Sequence, residues 1–321
     1  MWILLDDRKG SSNQAKGVEN ALDKDIFEIE EKQISYNFLA ALPNFLRGRT
    51  LLGLDKKSRN LFGGKMPDAV ISSSRRTVPV ARYIKKMSGE KTKLVQLMHP
   101  GLAGMKEFSL IFVPEHDKGK KGGKNVEYIV GCAHQITPDT LAAAHKKWKD
   151  EFAGLQKPLT AVIVGGAIKK REFSEENAKK FGQLLAKFHK EVDGTFLLTT
   201  SRRTGEKAQN ALLKEIEGIP VYSYLWGDKK ENPYMGFLSE SDNIIVTGDS
   251  VSMCSEAVGT GKPVYIFEGE GWLTKKHSRF VDSLCKKGAA NAFSGKKTEI
   301  KNNKKMLNPA TEIAKRISAT I

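Results

Sequence analysis

The sequence has few cysteines and no long apolar segment. Its three cysteines, Cys132, Cys254 and Cys285, are odd in number and far apart among 321 residues. This argues against a disulfide-stabilised scaffold and favours a reducing compartment such as the cytoplasm. No apolar run reaches the roughly 18 residues that a membrane-spanning helix needs. The segment Met1–Asp7 is apolar and ends in two aspartates, so it predicts a first strand rather than a signal peptide.

Several binding motifs are also missing. The dinucleotide fingerprint GxGxxG is absent, and a proline follows the Gly-Lys pair at 261–262, so no P-loop is completed there. Cys132 and His134 form an isolated pair, short of a zinc site. Aromatic residues amount to 8%, and the basic clusters Lys118–Lys124 and Lys296–Lys305 contain none, unlike surfaces that bind single-stranded nucleic acid. We therefore expect no metal, no tightly bound cofactor and no nucleic-acid partner.

The chain is strongly basic. It has 53 Lys and Arg residues against 37 Asp and Glu, which gives a net charge of +16. Such a surface attracts anionic partners, for example phosphorylated small molecules or acidic phospholipids. Each cation held near an anionic leaflet contributes about 1 kcal/mol, so peripheral association with the inner face of the cytoplasmic membrane is one interpretation. A solvated, lysine-rich surface without a partner is the other.

Apolar strand-like runs alternate with helical patterns along the whole chain. The predicted strands are Trp2–Leu5, Asp25–Ile29, Asp68–Ser72, Lys93–Leu97, Ser109–Val113, Tyr128–Val130, Thr160–Val164, Thr195–Thr199, Val221–Tyr224, Asn243–Val246 and Val264–Phe267. The predicted helices lie near Asn13–Leu22, Tyr36–Leu46, Arg75–Met87, Ser174–Val192, Glu206–Glu217, Tyr234–Glu240, Ser250–Thr260, His277–Lys287 and Pro309–Ile321. Alternation of this kind predicts right-handed βαβ units and parallel sheets flanked by helices.

The alternation occurs twice, on either side of a polar helical stretch near 138–158. We therefore predict an α/β protein with two Rossmann-like, doubly wound domains facing a cleft. The N-terminal domain spans 1–145 and the C-terminal domain spans 146–305, while residues 306–321 form a helix that packs back on the body. In open parallel sheets, ligands bind beyond the carboxyl ends of the strands, so each strand-to-helix turn is a candidate site.

The most informative segment is 243–267. A buried strand ends at Thr247-Gly248-Asp249-Ser250, a helix follows, and a proline opens the next strand. The first N–H groups of such a helix have no intrahelical partners and attract anions. Glu256, within the first two turns, suits ribose hydroxyls rather than phosphate. The segment indicates a nucleotide diphosphate bound through phosphate and sugar, with an ordinary capped βαβ element as the alternative.

Other turns of the C-terminal half carry small or hydroxyl residues. Gly165-Gly166 follows a buried strand and would let a diphosphate approach the backbone, although a tight structural turn is the alternative. The segment Thr199–Thr204 contains a hydroxyl-Arg-Arg-Thr turn, and arginine binds phosphate in a bidentate manner. Tyr234 would stack on a base, in a pocket lined by Asn232 unless this residue only caps the following helix.

Two turns of the N-terminal half share these features. After the first strand, Ser11, Asn13 and Gln14 lie in a loop of small and amide residues that can donate hydrogen bonds. Ser74-Arg75-Arg76-Thr77 follows another strand and resembles Ser201–Thr204. One such turn in each domain indicates anionic groups held from both sides of a cleft. Solvated loops and capped helices with surface cations are the alternatives.

Several segments together resemble the bacterial relatives of the plant mitochondrial-fission factor named for elongated mitochondria. The matching stretches, which run over nearly the whole chain, are Asp7–Gly17, Ser72–Pro79, Val95–Pro100, Val113–Asp117, Thr199–Thr204, Glu231–Phe237 and Val246–Tyr265. That family is similar to GT-B glycosyltransferases, whose C-terminal domain binds most of the sugar nucleotide. The resemblance implies a glycosyltransferase linked to envelope glycans in bacteria, and a partner of a dynamin-related division protein in plants.

The resulting hypothesis is a metal-independent GT-B glycosyltransferase with a nucleotide diphosphate-sugar as donor and a cell-envelope glycan or lipid-linked acceptor. The candidates for the catalytic base are Asp7, Glu115 and His116, with Asp6 as a further option. The nucleotide-sugar site would comprise Gly165, Gly166, Thr200, Ser201, Arg202, Asn232, Tyr234, Thr247, Asp249, Ser250, Ser252 and Glu256. The acceptor or phosphate side would comprise Ser11, Asn13, Gln14, Ser74, Arg75 and Arg76. The alternatives are a sugar-nucleotide epimerase or hydrolase on the same fold, and a non-catalytic recruitment protein of the fission-factor type.

Overall fold

The computed structural model describes residues 1–102, 104–119, 122–298 and 306–321, so Lys120, Lys121 and 299–305 of the two basic clusters lie outside the described residues. The chain divides into two compact units. Unit 1 comprises Met1–Gln135 and Asn308–Ile321, and unit 2 comprises Ile136–Leu307. The division falls at 135/136 rather than at the expected 145/146, because the helix that begins at Pro138 packs on the helix Tyr234–Glu240 of unit 2.

Unit 1 contains a six-stranded parallel sheet. Its strands are β1 (Trp2–Leu5), β2 (Glu30–Gln33), β3 (Ala69–Ser73), β4 (Lys93–Leu97), β5 (Leu110–Pro114) and β6 (Val126–Ile129), in the order β2-β1-β3-β4-β5-β6. Its helices are α1 (Lys9–Ala21), α2 (Asn44–Arg47), α3 (Lys56–Arg59) and α4 (Val78–Met87), with 3-10 turns at Phe38–Ala41, Asn60–Phe62, Met105–Glu107 and Glu115–Asp117.

Alternate residues of the unit 1 strands enter two separate hydrophobic clusters. Ile3 and Leu5 of β1 belong to the cluster that contains α1, whereas Trp2 and Leu4 belong to the cluster that contains α4. Successive strand residues point to opposite faces, and continuous apolar strands are typical of sheets that are covered on both sides. The unit 1 sheet is therefore covered by helices on both faces.

Unit 2 repeats this architecture. Its strands are β7 (Leu159–Val164), β8 (Thr195–Thr200), β9 (Val221–Tyr224), β10 (Asn243–Thr247), β11 (Val264–Phe267) and β12 (Asn291–Ala292), in the order β12-β11-β10-β7-β8-β9. Its helices are α5 (Pro138–Phe152), α6 (Glu175–Val192), α7 (Glu206–Glu215), α8 (Tyr234–Glu240), α9 (Val251–Gly259) and α10 (Lys275–Lys286). Phe181, Leu185 and Phe188 of α6 pack into a hydrophobic cluster with Val162 and Phe196 of the sheet.

The last helix, α11 (Pro309–Thr320), belongs to unit 1. It packs on α1, and its side chains Ile313 and Ile317 are fully buried in the same cluster as β1. Asn308 caps this helix by accepting a hydrogen bond from the N–H of Ala310 at 3.0 Å. The chain thus returns from unit 2 to complete the core of unit 1.

Two local predictions are wrong. Residues 25–29 are not a strand, because the parallel pairing begins only where Glu30 meets Trp2, and Phe27 and Ile29 pack against the core instead. The helix predicted at Tyr36–Leu46 is interrupted at Pro43, which has no N–H to donate, so that a 3-10 turn and the short α2 replace it. The predicted bounds of β1, β4, β9, β11 and α8 are confirmed to the residue.

Candidate functional site

In both sheets the chain adds strands on one side of the first strand and then continues on its other side, so each sheet has a point at which the strand order reverses. In unit 1 this point lies between β1 and β3, and in unit 2 it lies between β7 and β10. In doubly wound folds ligands bind beyond the carboxyl ends of the strands at such points. The turns that follow these four strands contain many of the residues that the sequence singled out.

At the unit 2 reversal, the two glycines after β7 are bound to the turn after β10. The N–H of Gly165 donates to Thr247 Oγ1 at 2.7 Å, and the N–H of Gly166 donates to Asp249 Oδ2 at 2.8 Å. A Cβ atom on Gly165 would lie 2.2 Å from the Asp249 carboxylate. The glycines are thus required by the close approach of the chain to itself, and their N–H groups are not available to a diphosphate.

The Ser-Arg-Arg-Thr turn after β8 holds the same junction from the other side. Ser201 Oγ donates to the carbonyl of Gly165 at 2.6 Å, and Arg203 Nη2 lies 2.9 Å from Asp249 Oδ2. Burial raises the pKa of Asp249, and the Arg203 guanidinium and the Thr247 hydroxyl oppose this rise. Arg202 is exposed and has no hydrogen bond or ion pair within the described part of the chain.

Thr200, the last residue of β8, is also bound internally. Its hydroxyl donates to Gln209 Oε1 at 2.7 Å and accepts from the N–H of Trp226 at 2.8 Å. The structure therefore gives internal partners to Gly165, Gly166, Thr200, Ser201, Thr247 and Asp249. These residues hold the loops to one another, whereas the other predicted residues of this site have different surroundings.

Among those other residues, Ser250, Ser252 and Glu256 belong to α9 or its cap, and Tyr234 contacts Glu256. Ser250 caps the helix by accepting from the N–H of Met253 at 3.4 Å, and Ser250 and Ser252 are both half-buried. Tyr234 Oη donates to Glu256 Oε2 at 2.6 Å, and Glu256 is 8% exposed. Two residues that lie on different helices and were predicted to contact different parts of a nucleotide are thus in contact with each other.

Asn232 precedes this pair and is exposed. Its Oδ1 accepts a hydrogen bond from the N–H of Tyr234 at 2.9 Å, at the start of α8. This is the capping role that the sequence offered as the alternative to a base pocket. It fixes the first turn of α8, and with it the position of the Tyr234 backbone.

The unit 1 reversal is built around a buried carboxylate as well. Asp6 accepts hydrogen bonds from Ser74 Oγ at 2.6 Å, from the N–H of Arg8 at 2.9 Å and from Arg76. Burial alone would raise the pKa of Asp6, but these hydrogen bonds lower it below its ordinary value. Arg76 also pairs with Asp7. Ser74 and Arg76 are thus used internally, whereas Arg75 is exposed.

Three further side chains surround the unit 1 turn. The Arg76 guanidinium lies over the ring of Tyr36, with its Cζ atom 4.2 Å from the ring centroid. Asn44 donates to the carbonyl of Arg75 at 2.9 Å, and Arg47 donates to Asn44 Oδ1 at 2.7 Å. Burial, together with the neighbouring arginines, lowers the pKa of Arg47, although the Tyr36 side chain acts in the opposite direction.

The residues predicted in the first loop lie in α1 instead, because this helix already begins at Lys9. Ser11 and Gln14 are buried, the carbonyl of Ser11 accepts from Ser73 Oγ at 2.7 Å, and Gln14 donates to the carbonyl of Gly10 at 3.2 Å. Asn13 accepts from Gln135 at 3.2 Å. The contacts of Ser11 and Asn13 bind α1 to the rest of unit 1, whereas that of Gln14 to Gly10 lies within the helix.

The three candidates for the catalytic base are not brought together. Asp7 follows β1, whereas Glu115 and His116 occupy the 3-10 turn after β5, with β3 and β4 in between. At about 4.8 Å per strand, the two turns are roughly 14 Å apart. His116 is buried and Glu115 is half-buried. A single base must therefore come from one turn or the other.

A protein-family model described as mitochondrial fission ELM1 matches residues 9–321. The chain belongs to this family. It is 31% identical over 347 aligned positions to Uncharacterized protein RP120 of Rickettsia prowazekii, covering 98% of this chain and 96% of that protein. It is also 30% identical over 264 positions to Mitochondrial fission protein ELM1 of Arabidopsis thaliana, covering 76% of this chain and 61% of the plant protein.

Solved structures with a similar fold match this ELM1-family chain over nearly its whole length. A UDP-GlcNAc 2-epimerase from Methanocaldococcus jannaschii has a TM-score of 0.57 at 13% identity, with 99% of each chain covered. Os79 from O. sativa in complex with UDP has a TM-score of 0.54 at 12% identity, with 99% and 90% covered. A UDP-GlcNAc 2-epimerase from Neisseria meningitidis bound to UDP-GlcNAc has a TM-score of 0.53 at 14% identity, with 99% and 100% covered. The prediction of an α/β fold with two Rossmann-like domains of the GT-B type is confirmed.

In this ELM1-family chain, Tyr36, Asn44 and Arg47 were not among the site residues predicted from the sequence. The available signal was Pro43, which breaks the predicted helix and leaves the apolar residues before Arg47 without a helical face to bury. Among the described residues, no helix is long and apolar enough to cross a membrane. No group of three or more His, Cys, Asp or Glu side chains in that part of the chain is arranged to hold a metal ion.

Proposed function

We propose that the protein is a glycosyltransferase whose unit 2 binds a nucleotide diphosphate-sugar at the start of α9. Unit 1 would present the acceptor, a cell-envelope glycan or a lipid-linked sugar. The reaction would need no metal ion, because arginine and backbone N–H groups would stabilise the departing diphosphate. The donor site would consist of Arg202, Tyr234, Ser250, Ser252 and Glu256.

The observation that carries this proposal is the Tyr234–Glu256 pair beside the start of α9. The first N–H groups of a helix and its dipole favour a phosphate group. A carboxylate that is already held by a tyrosine hydroxyl is a fixed acceptor for the hydroxyls of a ribose. The first two turns of α9 would therefore bind both the phosphate and the sugar, next to the point at which the sheet reverses its strand order.

The comparisons support the nucleotide part of the proposal. Os79 is described in complex with UDP, and the Neisseria epimerase is described bound to UDP-GlcNAc. We extend uridine diphosphate to this chain as the first nucleotide to test. Arg202 is suited to the diphosphate because it is exposed and its guanidinium can bind two oxygens at once.

The chemistry would proceed by attack of an acceptor hydroxyl on the anomeric carbon while the nucleoside diphosphate leaves. Negative charge grows on the departing phosphate, where one well-placed donor contributes about 3–4 kcal/mol. Glu115 or His116 would accept the proton of the hydroxyl. We favour this turn over Asp7, because Asp7 is already paired with Arg76.

Epimerisation or hydrolysis of a sugar nucleotide is the second candidate. It is favoured by the fold similarity to UDP-GlcNAc 2-epimerases. The two candidates share the donor site and differ in whether a second substrate is needed. Proton NMR of the sugar product separates them, because inverted or free sugar that forms without an acceptor indicates the second candidate.

A thermal-shift series with UDP, ADP, GDP and CDP, each with and without Mg²⁺, tests nucleotide binding. At 100 times its dissociation constant a ligand adds about 2.7 kcal/mol of stability. We expect a selective shift with UDP that does not depend on Mg²⁺. No shift with any of the four nucleotides would contradict the proposal and favour the non-catalytic recruitment protein.

A further inference from the structure

A cavity at the carboxyl edge of the unit 1 sheet combines cationic and apolar side chains. It has a volume of about 610 Å³ and is lined by Arg8, Arg47, Arg75 and Arg76 together with most of the segment 37–44. We call it the arginine cavity. Its position follows from the turns after β1 and β3, which supply Arg8 and the Arg75-Arg76 pair, and from α2, which supplies Arg47.

The arginine cavity holds more positive charge than the surrounding acids neutralise. Arg76 pairs with Asp6 and Asp7. Arg8, Arg47 and Arg75 form no ion pair with any acidic residue that the structure describes. This surplus favours an anionic group that comes from outside the chain.

Arg47 is a buried cation whose hydrogen-bond acceptors carry no charge. It is 2% exposed, and its acceptors are uncharged, namely Asn44 Oδ1 at 2.7 Å and the carbonyl of Arg76 at 3.4 Å. Its Nε has no hydrogen-bond partner. A buried cation without a counter-charge is costly, so that such groups are normally paired. The arginine cavity therefore has the donors and the charge for a phosphate group.

The segment next to the arginine cavity is apolar and exposed. Phe38 is 84% exposed, Phe45 is 70% exposed and Leu46 is 60% exposed, and Leu42 is exposed as well. We call residues 38–46 the apolar rim. Side-chain amides fix both of its ends, because Asn37 donates to the carbonyl of Leu54 at 2.8 Å and Asn44 donates to the carbonyl of Arg75 at 2.9 Å. Contiguous exposed apolar residues of this kind mark interaction surfaces.

We propose that the arginine cavity binds the phosphate of an anionic membrane phospholipid while the apolar rim enters the lipid interface. A free phosphate would satisfy the arginines and leave the apolar rim in water. An apolar protein partner would cover the rim and leave Arg47 without an anion. A phospholipid at a bilayer surface satisfies both features. The inference uses unit 1 residues alone and is independent of the proposed transferase activity.

Vesicle sedimentation with the full-length protein tests this inference. The vesicles contain phosphatidylcholine and phosphatidylglycerol in equal parts, with pure phosphatidylcholine vesicles as the reference. The variants are Arg75→Gln, which removes an exposed cation of the cavity, and the double variant Phe45→Ser/Leu46→Ser, which removes two exposed side chains of the rim. The matched controls are Arg279→Gln and Met87→Ser, which alter exposed residues elsewhere. Thermal unfolding of each variant shows that the fold is retained.

We expect binding to the mixed vesicles and weak binding to pure phosphatidylcholine. Removal of a cation that is attracted to the membrane without a specific contact lowers the affinity for the vesicles about fivefold. Because we infer a direct contact between Arg75 and a lipid phosphate, Arg75→Gln should lower this affinity about tenfold or more. The rim variant should lose binding to a similar extent, and both controls should stay within about twofold of the wild type. Equal binding by all variants, or no binding to the mixed vesicles, would overturn the inference. Calorimetry with inorganic phosphate gives the remaining comparison. If the protein binds phosphate equally well with and without the rim substitutions, and does not bind vesicles, the lipid inference is overturned and the ligand is a free anion.

Discussion

Arg203 donates from Nη2 to Oδ2 of Asp249 across 2.9 Å, beside the point where the unit 2 sheet reverses its strand order. Unit 1 contains the counterpart, in which Arg76 pairs with the buried Asp6. In both Ser-Arg-Arg-Thr turns the second arginine is therefore used within the protein. The first arginine, Arg75 or Arg202, is exposed. The second arginine of each turn thus holds the loop, whereas the first is left exposed.

Arg203→Ala should destabilise unit 2. Removal of one partner of a buried ion pair costs about 3–5 kcal/mol, and because the Arg203 side chain is 37% exposed we expect about 2 kcal/mol. Urea unfolding followed by tryptophan fluorescence measures this loss, since Trp148, Trp226 and Trp272 all lie in unit 2. An unchanged urea midpoint would show that the pair does not hold the junction.

Arg202→Ala should leave the stability of unit 2 unchanged and weaken the binding of UDP. Its side chain is exposed, so the free energy of unfolding should stay within about 0.5 kcal/mol of the wild type. The affinity for UDP should fall about tenfold, because a charge-assisted hydrogen bond to phosphate is lost. Calorimetric titration of UDP into this variant checks the prediction. A stable Arg202→Ala protein with undiminished UDP affinity would remove Arg202 from the proposed donor site.

Gly17→Ala should destabilise unit 1. A Cβ atom at this position of α1 would lie 2.5 Å from the carbonyl oxygen of His134, closer than side chains approach backbone. Overpacking of this kind costs about 1–3 kcal/mol, and the midpoint of thermal unfolding should fall accordingly. Gly154→Ala is the matched control, because nothing lies within 4 Å of its Cβ position. Similar midpoints for the two variants would contradict the close packing of α1.

Glu19 should make the stability of unit 1 depend on pH. Burial and the neighbouring Glu31 raise the pKa of Glu19 from 4.5 to about 6, and its Oε2 has no hydrogen-bond partner. The folded state therefore holds this proton more tightly than the unfolded state, so its contribution to stability is present below pH 4.5 and is lost as the pH rises through about 6.

Glu19→Gln removes this titration. At pH 7.5 the variant should be more stable than the wild type by about 1 kcal/mol, a value that allows for solvent screening of a partly exposed group, and the difference should be smaller near pH 4.5. Urea unfolding at both pH values gives the comparison. Glu217→Gln, at an exposed position, serves as the control and should show the same small difference at both. A Glu19→Gln protein that is less stable than the wild type at pH 7.5 would contradict the raised pKa of Glu19.

The fold could be predicted from the sequence wherever a strand is apolar throughout. Trp2–Leu5 and Val264–Phe267 are apolar and buried throughout, so their hydrophobic runs mark their bounds. The edge strand Glu30–Gln33 has no such signal, because its residues are mostly exposed and charged. Asn291–Ala292 is too short to show any periodicity.

The candidate site could be predicted as a set of turns but not as a set of contacts. Strand-to-helix turns rich in hydroxyls, glycine and arginine are visible in the sequence. Which of their polar groups bind each other depends on pairs that are remote along the chain, such as Gly165 with Thr247 and Asp6 with Arg76. Local patterns carry no information about these pairs. Residues predicted as ligands, Asp249 among them, therefore proved to have internal partners.

Calorimetric titration of UDP into the wild type and into Glu256→Gln tests whether unit 2 binds a nucleotide at α9. We expect saturable binding of one UDP to the wild type and about tenfold weaker binding to Glu256→Gln, because the amide replaces a charged acceptor for ribose hydroxyls with a neutral one. Tyr234→Phe, which removes the hydroxyl that holds Glu256, should show a smaller loss of the same kind. Absence of UDP binding to the wild type, or equal affinity of the wild type and Glu256→Gln, would contradict the account.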